Sequence, residues 1–280
     1  MNITFVICLH SSRINNLKQV IRFIEKRETK LFGSEILVNF HDSHQDILES
    51  ANFHIKTICH NLQMYNKPYM CNYGVNMASN DIVCILDSDR ILPENYFYDV
   101  ASKLNFYDFT TTEYIKQCIK DENDISIEEN NFEYKQEERS LENKINHKNL
   151  FSGNVMFFRD RYFEIGGMDE SFIGYSFNDS DITQKVLTDK KNNPIYLNID
   201  EIHLYHDKKF FFNSYSFSEY EKQVHCVTNM LKFCNKWNIE KKERYKEADL
   251  YVNIANNLKN EKIKQRFFEE YHKGKHNLFV

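Results

Sequence analysis

Proline and glycine are scarce in this chain, with three prolines and seven glycines in 280 residues. That excludes long flexible linkers and points to one large domain, or one domain with an appendage. The sequence has no Gly-x-x-x-x-Gly-Lys phosphate loop, no Gly-x-Gly-x-x-Gly dinucleotide turn and no Gly-x-Ser-x-Gly elbow. Kinases, dehydrogenases and serine hydrolases of the usual types are thereby removed. No apolar run approaches the roughly 20 residues of a membrane span. Met1-Asn2-Ile3-Thr4 carries no basic n-region, and the apolar run after it is too short for a signal peptide. The seven cysteines are odd in number and include no Cys-x-x-Cys pair, so reduced thiols and a cytoplasmic protein are expected. A basic stripe is also lacking: the net charge is −5, with both signs interspersed, which argues against a nucleic-acid partner.

What is present is enough for a sizeable core: 41% of residues are hydrophobic and 15% aromatic. Thr4–Leu9 is a short, continuous apolar run rich in β-branched residues, the pattern of a strand buried in a parallel sheet. Leu17, Val20, Ile21 and Ile24 then recur at helical spacing, and Glu35–Phe40 reads as a second strand. This β-α-β opening favours a layered α/β fold with a right-handed crossover. Tyr69–Met77 reads as a helix, and Asp81–Leu86 as another buried strand. Residues from about Thr110 to Lys148 turn strongly polar, and read as an exposed insertion or an acceptor-binding lid. Val155–Phe158 and Ile195–Leu197 are further strands, Asp181 onward is a helix, and the chain after Asp207 is largely helical.

Two constellations carry chemistry. Asp87-Ser88-Asp89 follows directly on the strand ending at Leu86, and ligands of open α/β sheets bind outside the carboxyl ends of strands. Two carboxylates there suit a hard divalent cation, Mn²⁺ or Mg²⁺, that also needs substrate phosphates; the competing reading is a solvated turn before Pro93. Asp179, between a turn and a helix, is placed to take a proton from an acceptor hydroxyl, or to cap that helix. Asp181 reads as the cap or a first-turn acid. His203 and His206 follow the last strand, either as cation ligands or as ordinary surface histidines.

Met64–Leu92 resembles the middle of family 2 glycosyltransferases of the GT-A fold, where an Asn-x-Gly helix precedes a strand ending in Asp-x-Asp. Here these are Asn72, Gly74 and Asp87 to Asp89. Ser152–Asp160, Gly166-Gly167-Met168-Asp169-Glu170 and Gly174-Tyr175-Ser176-Phe177-Asn178-Asp179 are similar to the C-terminal half of galactosyltransferase-like and chondroitin-polymerase-like domains. Departures stand beside the likeness. Asn178-Asp179 replaces Glu-Asp, Tyr175 replaces a tryptophan, Ser176 and Phe177 replace two glycines, and His10-Ser11-Ser12-Arg13 stands where a proline motif is expected. Asp42 and Ser43 are stand-ins for a nucleotide-binding acid.

The resemblance implies a GT-A-like α/β/α sandwich with a mixed, mainly parallel sheet over residues 1–206, and a C-terminal helical extension, 207–280, packed on it. It implies inverting transfer of a hexose or N-acetylhexosamine from a UDP-linked nucleotide sugar to a glycan or lipid-linked glycan hydroxyl, in surface polysaccharide or glycoconjugate synthesis. The enzyme is then expected in the cytoplasm, reaching a lipid-linked acceptor only by peripheral contact with the membrane. On this reading Asp179 is the base, and Asp89 and His206 bind the cation. Asp87, Arg13 and Lys67 meet the donor, and Tyr175 and Asn178 meet the acceptor. A metal-dependent nucleotidyltransferase and a catalytically silent glycan-binding or scaffold protein are the competing functions.

Overall fold

The computed structural model describes residues 2–42, 52–118, 134–138, 150–174, 176–204, 218–239 and 241–275. Among the described residues nine strands form one sheet: β1 (Ile3–Leu9), β2 (Glu35–Phe40), β3 (His54–Cys59), β4 (Ile82–Leu86), β5 (Arg90–Ile91), β6 (Phe109–Cys118), β7 (Tyr134–Glu138), β8 (Asn154–Phe158) and β9 (Pro194–His203). Their order is β3-β2-β1-β4-β8-β6-β9-β5, with β7 paired to β6. The sheet is mixed. β3, β2, β1 and β4 run parallel, as do β6 and β9, whereas β8 is antiparallel to both β4 and β6.

Period-two alternation explains the layers. Ile3, Phe5, Ile7 and Leu9 of β1 face one apolar cluster, and Val6 and Cys8 face another. Helices α1 (Ile14–Arg27) and α3 (Tyr96–Lys103) cover the first face through Leu17, Val20, Ile21, Ile24, Phe97 and Val100. Helices α2 (Lys67–Met77), α4 (Arg159–Glu164) and α5 (Asn178–Thr188) cover the second through Met70, Val75, Tyr162, Ile182 and Val186. The result is an α/β/α sandwich.

The polar stretch beginning at Thr110 requires a correction. Residues 109–118 are not a surface insertion but strand β6, hydrogen-bonded between β8 and β9 in the interior of the sheet. Thr110, Thr111 and Thr112 are fully buried because their hydroxyls are satisfied: Thr111 Oγ1 donates to the Asn154 carbonyl at 2.5 Å, and Thr112 Oγ1 to Glu201 at 2.7 Å. β7 also falls in that stretch, whereas residues 119–133 and 139–149 lie outside the described residues. The strand read at Ile195–Leu197 extends to ten residues, up to His203.

Beyond the sheet come α6 (Glu219–Trp237), α7 (Lys241–Asp249), α8 (Val252–Asn256) and α9 (Glu261–Lys275). Ser218 and Glu221 form a reciprocal capping box that starts α6. Val224, Val227, Leu231 and Phe267 pack in a third apolar cluster, which includes Phe172 from the turn before α5. No helix among the described residues is long and apolar enough to cross a membrane.

Candidate functional site

The polar residues of interest converge at the carboxyl ends of β1, β2 and β4. β1 is followed by His10 and Ser11. The Asp42 carboxylate, just past β2, accepts from the Ser11 backbone N–H at 3.0 Å and from the Ser11 hydroxyl, and His10 Nε2 lies 3.3 Å away. β4 is followed by Asp87. Its Oδ2 accepts from the Gly153 N–H at 3.1 Å and its own N–H donates to the Gly153 carbonyl at 2.7 Å, so the β4–β8 pairing fixes this carboxylate.

Lys67 is the first residue of α2. A cation is disfavoured at a helix N-terminus, but here two carboxylates hold it: Asp87 Oδ1 at 2.9 Å and Asp179 Oδ1 at 3.2 Å. Burial alone would lower the Lys67 pKa, but Asp179 and Asp87 outweigh it and keep the ammonium well above the ordinary lysine value. Asp179 moves the opposite way to a usual ion-paired acid. Burial in the cleft pushes its carboxyl above the ordinary aspartate range, Lys67 pulls it back, and the nearby Asp87 charge pushes it up again.

Asp89 is the most enclosed acid of the group, 2% exposed. Arg13 Nη1 lies 2.7 Å from its Oδ2, His203 Nε2 3.4 Å from the same oxygen, and Arg90 Nε 3.6 Å from Oδ1. Burial would raise this carboxyl, but His203, Arg13 and Arg90 together hold it well below the usual range. Arg90 also reaches Glu201 at 2.8 Å. Glu201, fully buried on β9, accepts from Asn154 at 2.5 Å as well.

Five of the residues expected from the sequence thus stand in two ion-pair groups, Lys67 with Asp87 and Asp179, and Arg13 with Asp89. Asn178 adjoins them, its amide 3.2 Å from Asp179 Oδ1. Tyr175, Ser43 and His206 lie outside the described residues; the imidazole beside Asp89 is that of His203. The readings of Asp179 and Asp181 as caps give way to other placements. Phe177 is the residue that precedes the first turn of α5, and it makes no side-chain cap. Asp179 lies inside that turn. Asp181, 1% exposed, accepts from Trp237 Nε1 at 2.8 Å and pairs with Lys236 at 2.8 Å, so it joins α5 to α6. Arg90 and Glu201 were missed as members of the network, and of the two histidines offered as cation ligands the described residues place His203 beside Asp89. β9 ends and β5 begins beside the Asp-x-Asp turn, with Arg90 opposite His203.

The Asn-x-Gly helix has a packing explanation. A Cβ on Gly74 would meet Val6 Cγ1 at 2.4 Å, so only glycine lets α2 lie this close to β1. Asn72 donates to the Met168 carbonyl at 2.9 Å and accepts from the Met168 N–H at 3.0 Å. It thereby docks the Gly166–Glu170 turn on α2 and carries the Asp179 segment towards Lys67.

Carboxylate and imidazole are suitable ligand types for Mn²⁺ or Mg²⁺, and Asp89 with His203 supplies one of each. The pair fits a cation in kind, and Asp89 Oδ2 is held by Arg13 in this structure. Among the described residues there is no cluster of three or more His, Cys, Asp or Glu side chains able to hold a metal.

No curated protein sequence matches the chain. Residues 133–207 match the family model of the N-terminal domain of galactosyltransferase. Among solved structures, GalNAc-T7 with UDP, GalNAc and Mn²⁺ is similar, with a TM-score of 0.58 at 13% identity. The match covers 96% of this chain and 54% of that one, so the chain spans about half the length of that relative. S. aureus TarS 1–349 in complex with UDP-GlcNAc is similar with a TM-score of 0.54 at 11% identity, covering 96% of this chain and 79% of the other. The shared architecture and the local sequence match agree: this chain has the GT-A fold of glycosyltransferases, with a galactosyltransferase-like segment over residues 133–207.

Proposed function

We propose that the protein transfers a hexose or N-acetylhexosamine from a UDP-linked donor to an acceptor glycan hydroxyl, with inversion, in surface polysaccharide or glycoconjugate synthesis on the cytoplasmic side. The observation that carries this reading is the sharing of one ammonium, Lys67, between Asp87 of the Asp-x-Asp turn and Asp179. It brings a half-buried carboxylate of raised basicity to the mouth of the strands where a nucleotide diphosphate binds in this fold.

A sugar hydroxyl must lose its proton as it attacks the anomeric carbon. Asp179 accepts that proton; an elevated carboxyl pKa makes it a better acceptor than a solvated aspartate. Lys67 and Arg13 offer N–H donors to the diphosphate, and Asp42 with Ser11 offers a polar wall for the nucleoside. Asp89, with His203 or His206, would hold the divalent cation, which supplies charge neutralisation to the departing diphosphate. This reading assigns acceptor binding to Tyr175 and Asn178.

Asp179→Asn tests it. The substitution keeps shape and removes the proton acceptor. Turnover of a UDP-sugar panel should fall by roughly 10²–10⁴-fold, while the thermal stabilisation given by UDP survives. Unchanged turnover would reduce Asp179 to a first-turn acid.

A further inference from the structure

The segment that carries Asp179 does not hold its own shape. Gly174, Ser176 and Phe177 have φ of 79°, 77° and 62°. Two of these are non-glycine residues in the left-handed region, in tandem, just before α5. Such backbone persists only where surroundings over-determine it.

The surroundings are the C-terminal helices. Asn229 of α6 is fully buried. Its Nδ2 donates to the Ile173 carbonyl at 2.9 Å and to the Ser176 carbonyl at 3.2 Å, bracketing the turn. Its Oδ1 accepts from Arg266 Nη2 of α9 at 2.8 Å, and the same nitrogen donates to the Ser171 carbonyl at 2.6 Å. Phe177 meets Phe233 of α6 at 5.5 Å between ring centroids. Both amide hydrogens of Asn229 are thus used on the turn, and its oxygen is oriented by the guanidinium, which fixes the amide's direction.

We infer that Asn229 and Arg266 are positioning residues for the proton-accepting step. They clamp the Ser171–Phe177 turn so that Asp179 stands at Lys67, and this makes the C-terminal helices part of the catalytic apparatus. The inference rests on Asp179 acting as proposed above.

The test is a double-mutant comparison in the full chain, reading UDP release from UDP-GlcNAc and other UDP-hexoses with water as acceptor. Asn229→Ala should lower the rate at least tenfold while UDP still raises the melting temperature. In the Asp179→Asn background the same change should alter the rate less than twofold, because residues acting through one group are not additive. Asn229→Asp, which keeps shape and the Arg266 contact but deletes the two donors, carries the same expectation should the alanine variant fold poorly. A wild-type rate in Asn229→Ala, or an equal loss in both backgrounds, overturns the inference while leaving Asp179 in place. A wild-type rate in Asp179→Asn overturns the base itself, and the inference with it.

Discussion

Replacing Lys67 by methionine removes the one charge that Asp87 and Asp179 share and leaves volume nearly unchanged. In the native protein the ammonium stands 2.9 Å from Asp87 and 3.2 Å from Asp179. At an effective dielectric of about 20, Coulomb attraction at 3.2 Å is about 5 kcal/mol, an upper bound for a pair in contact with water. The side chains of Asp87 and Asp179 are 26% and 21% exposed, so solvent screens part of it. Loss of an adjacent opposite charge ordinarily moves a carboxyl by about 1–3 pKa units. Asp179 already lies above the ordinary aspartate value, and Lys67→Met removes the main influence pulling it down. The acid limb of the pH–rate profile should therefore move up by about 1–3 units, with Lys67→Arg restoring it. Stability gives a second readout. Two facing carboxylates are costly only when ionised, so the deficit of the variant should be largest near pH 8 and shrink as pH falls through the carboxylate range. Breaking a buried pair costs about 3–5 kcal/mol; with the screening here, roughly half of that is expected. An acid limb that coincides with that of the wild type would refute the coupling between Lys67 and Asp179.

Three further outcomes are expected. Glu28 is 2% exposed, and burial pushes its carboxyl up to about 7. Charging it therefore costs stability as pH rises from about 4.5 to 7, and Glu28→Gln should be more stable by roughly 3 kcal/mol at pH 8. That advantage should vanish below pH 4.5, as thermal melts across pH would reveal. Gly74→Ala should destabilise the protein by at least 2 kcal/mol, since its methyl meets Val6 and Asn39 of β1 and β2 and overpacking of this kind typically costs about 1–3 kcal/mol; a variant as stable as wild type in urea would show that α2 can shift. Turnover should require Mn²⁺ or Mg²⁺, and Asp89→Ala should weaken Mn²⁺ binding, read by calorimetry, more than Asp87→Ala does; full turnover in excess chelator would remove the cation from the scheme.

Much of the sheet was legible because its parallel part is buried on both faces, and such strands read as unbroken apolar runs. β1, β2 and β4 are of this kind. β6 was not legible for the converse reason. Thr110-Thr111-Thr112-Glu113 looks polar, yet in the sheet interior each threonine is buried, with its hydroxyl bonded to β8 or to Glu201 on β9. The β-branching was the usable signal, and the run of charge beyond it masked it. β3 was overlooked because it is an edge strand with a half-exposed side-chain pattern. In the site, the Asp-x-Asp turn could be placed because a strand end fixes it. Its basic partners left no local trace and were reached through the resemblance: Arg13, Lys67 and His203 are separated from Asp89 along the chain by 76, 22 and 114 residues, and only the fold brings Arg13 and His203 to Asp89 and Lys67 to Asp87. The bridge from Asp181 to Trp237 and Lys236 left no local trace either, since an acid in a first helical turn has a sufficient explanation in the helix itself.

The order of strands has a consequence for how the chain acquires its shape. β1 to β4 are contributed by the first 86 residues and pair among themselves, but the outer edge of β4 is closed only by β8, beginning at Asn154. A ribosome adding about 5–20 residues per second leaves that edge, Ile82–Leu86, without its neighbour for several seconds. An apolar, unpaired strand edge is a template for joining another chain. Synthesis slowed or stopped between Leu86 and Asn154 should therefore yield aggregates rather than a smaller soluble unit, and pulse-chase sedimentation of arrested chains would display the window in which the nascent protein depends on a chaperone.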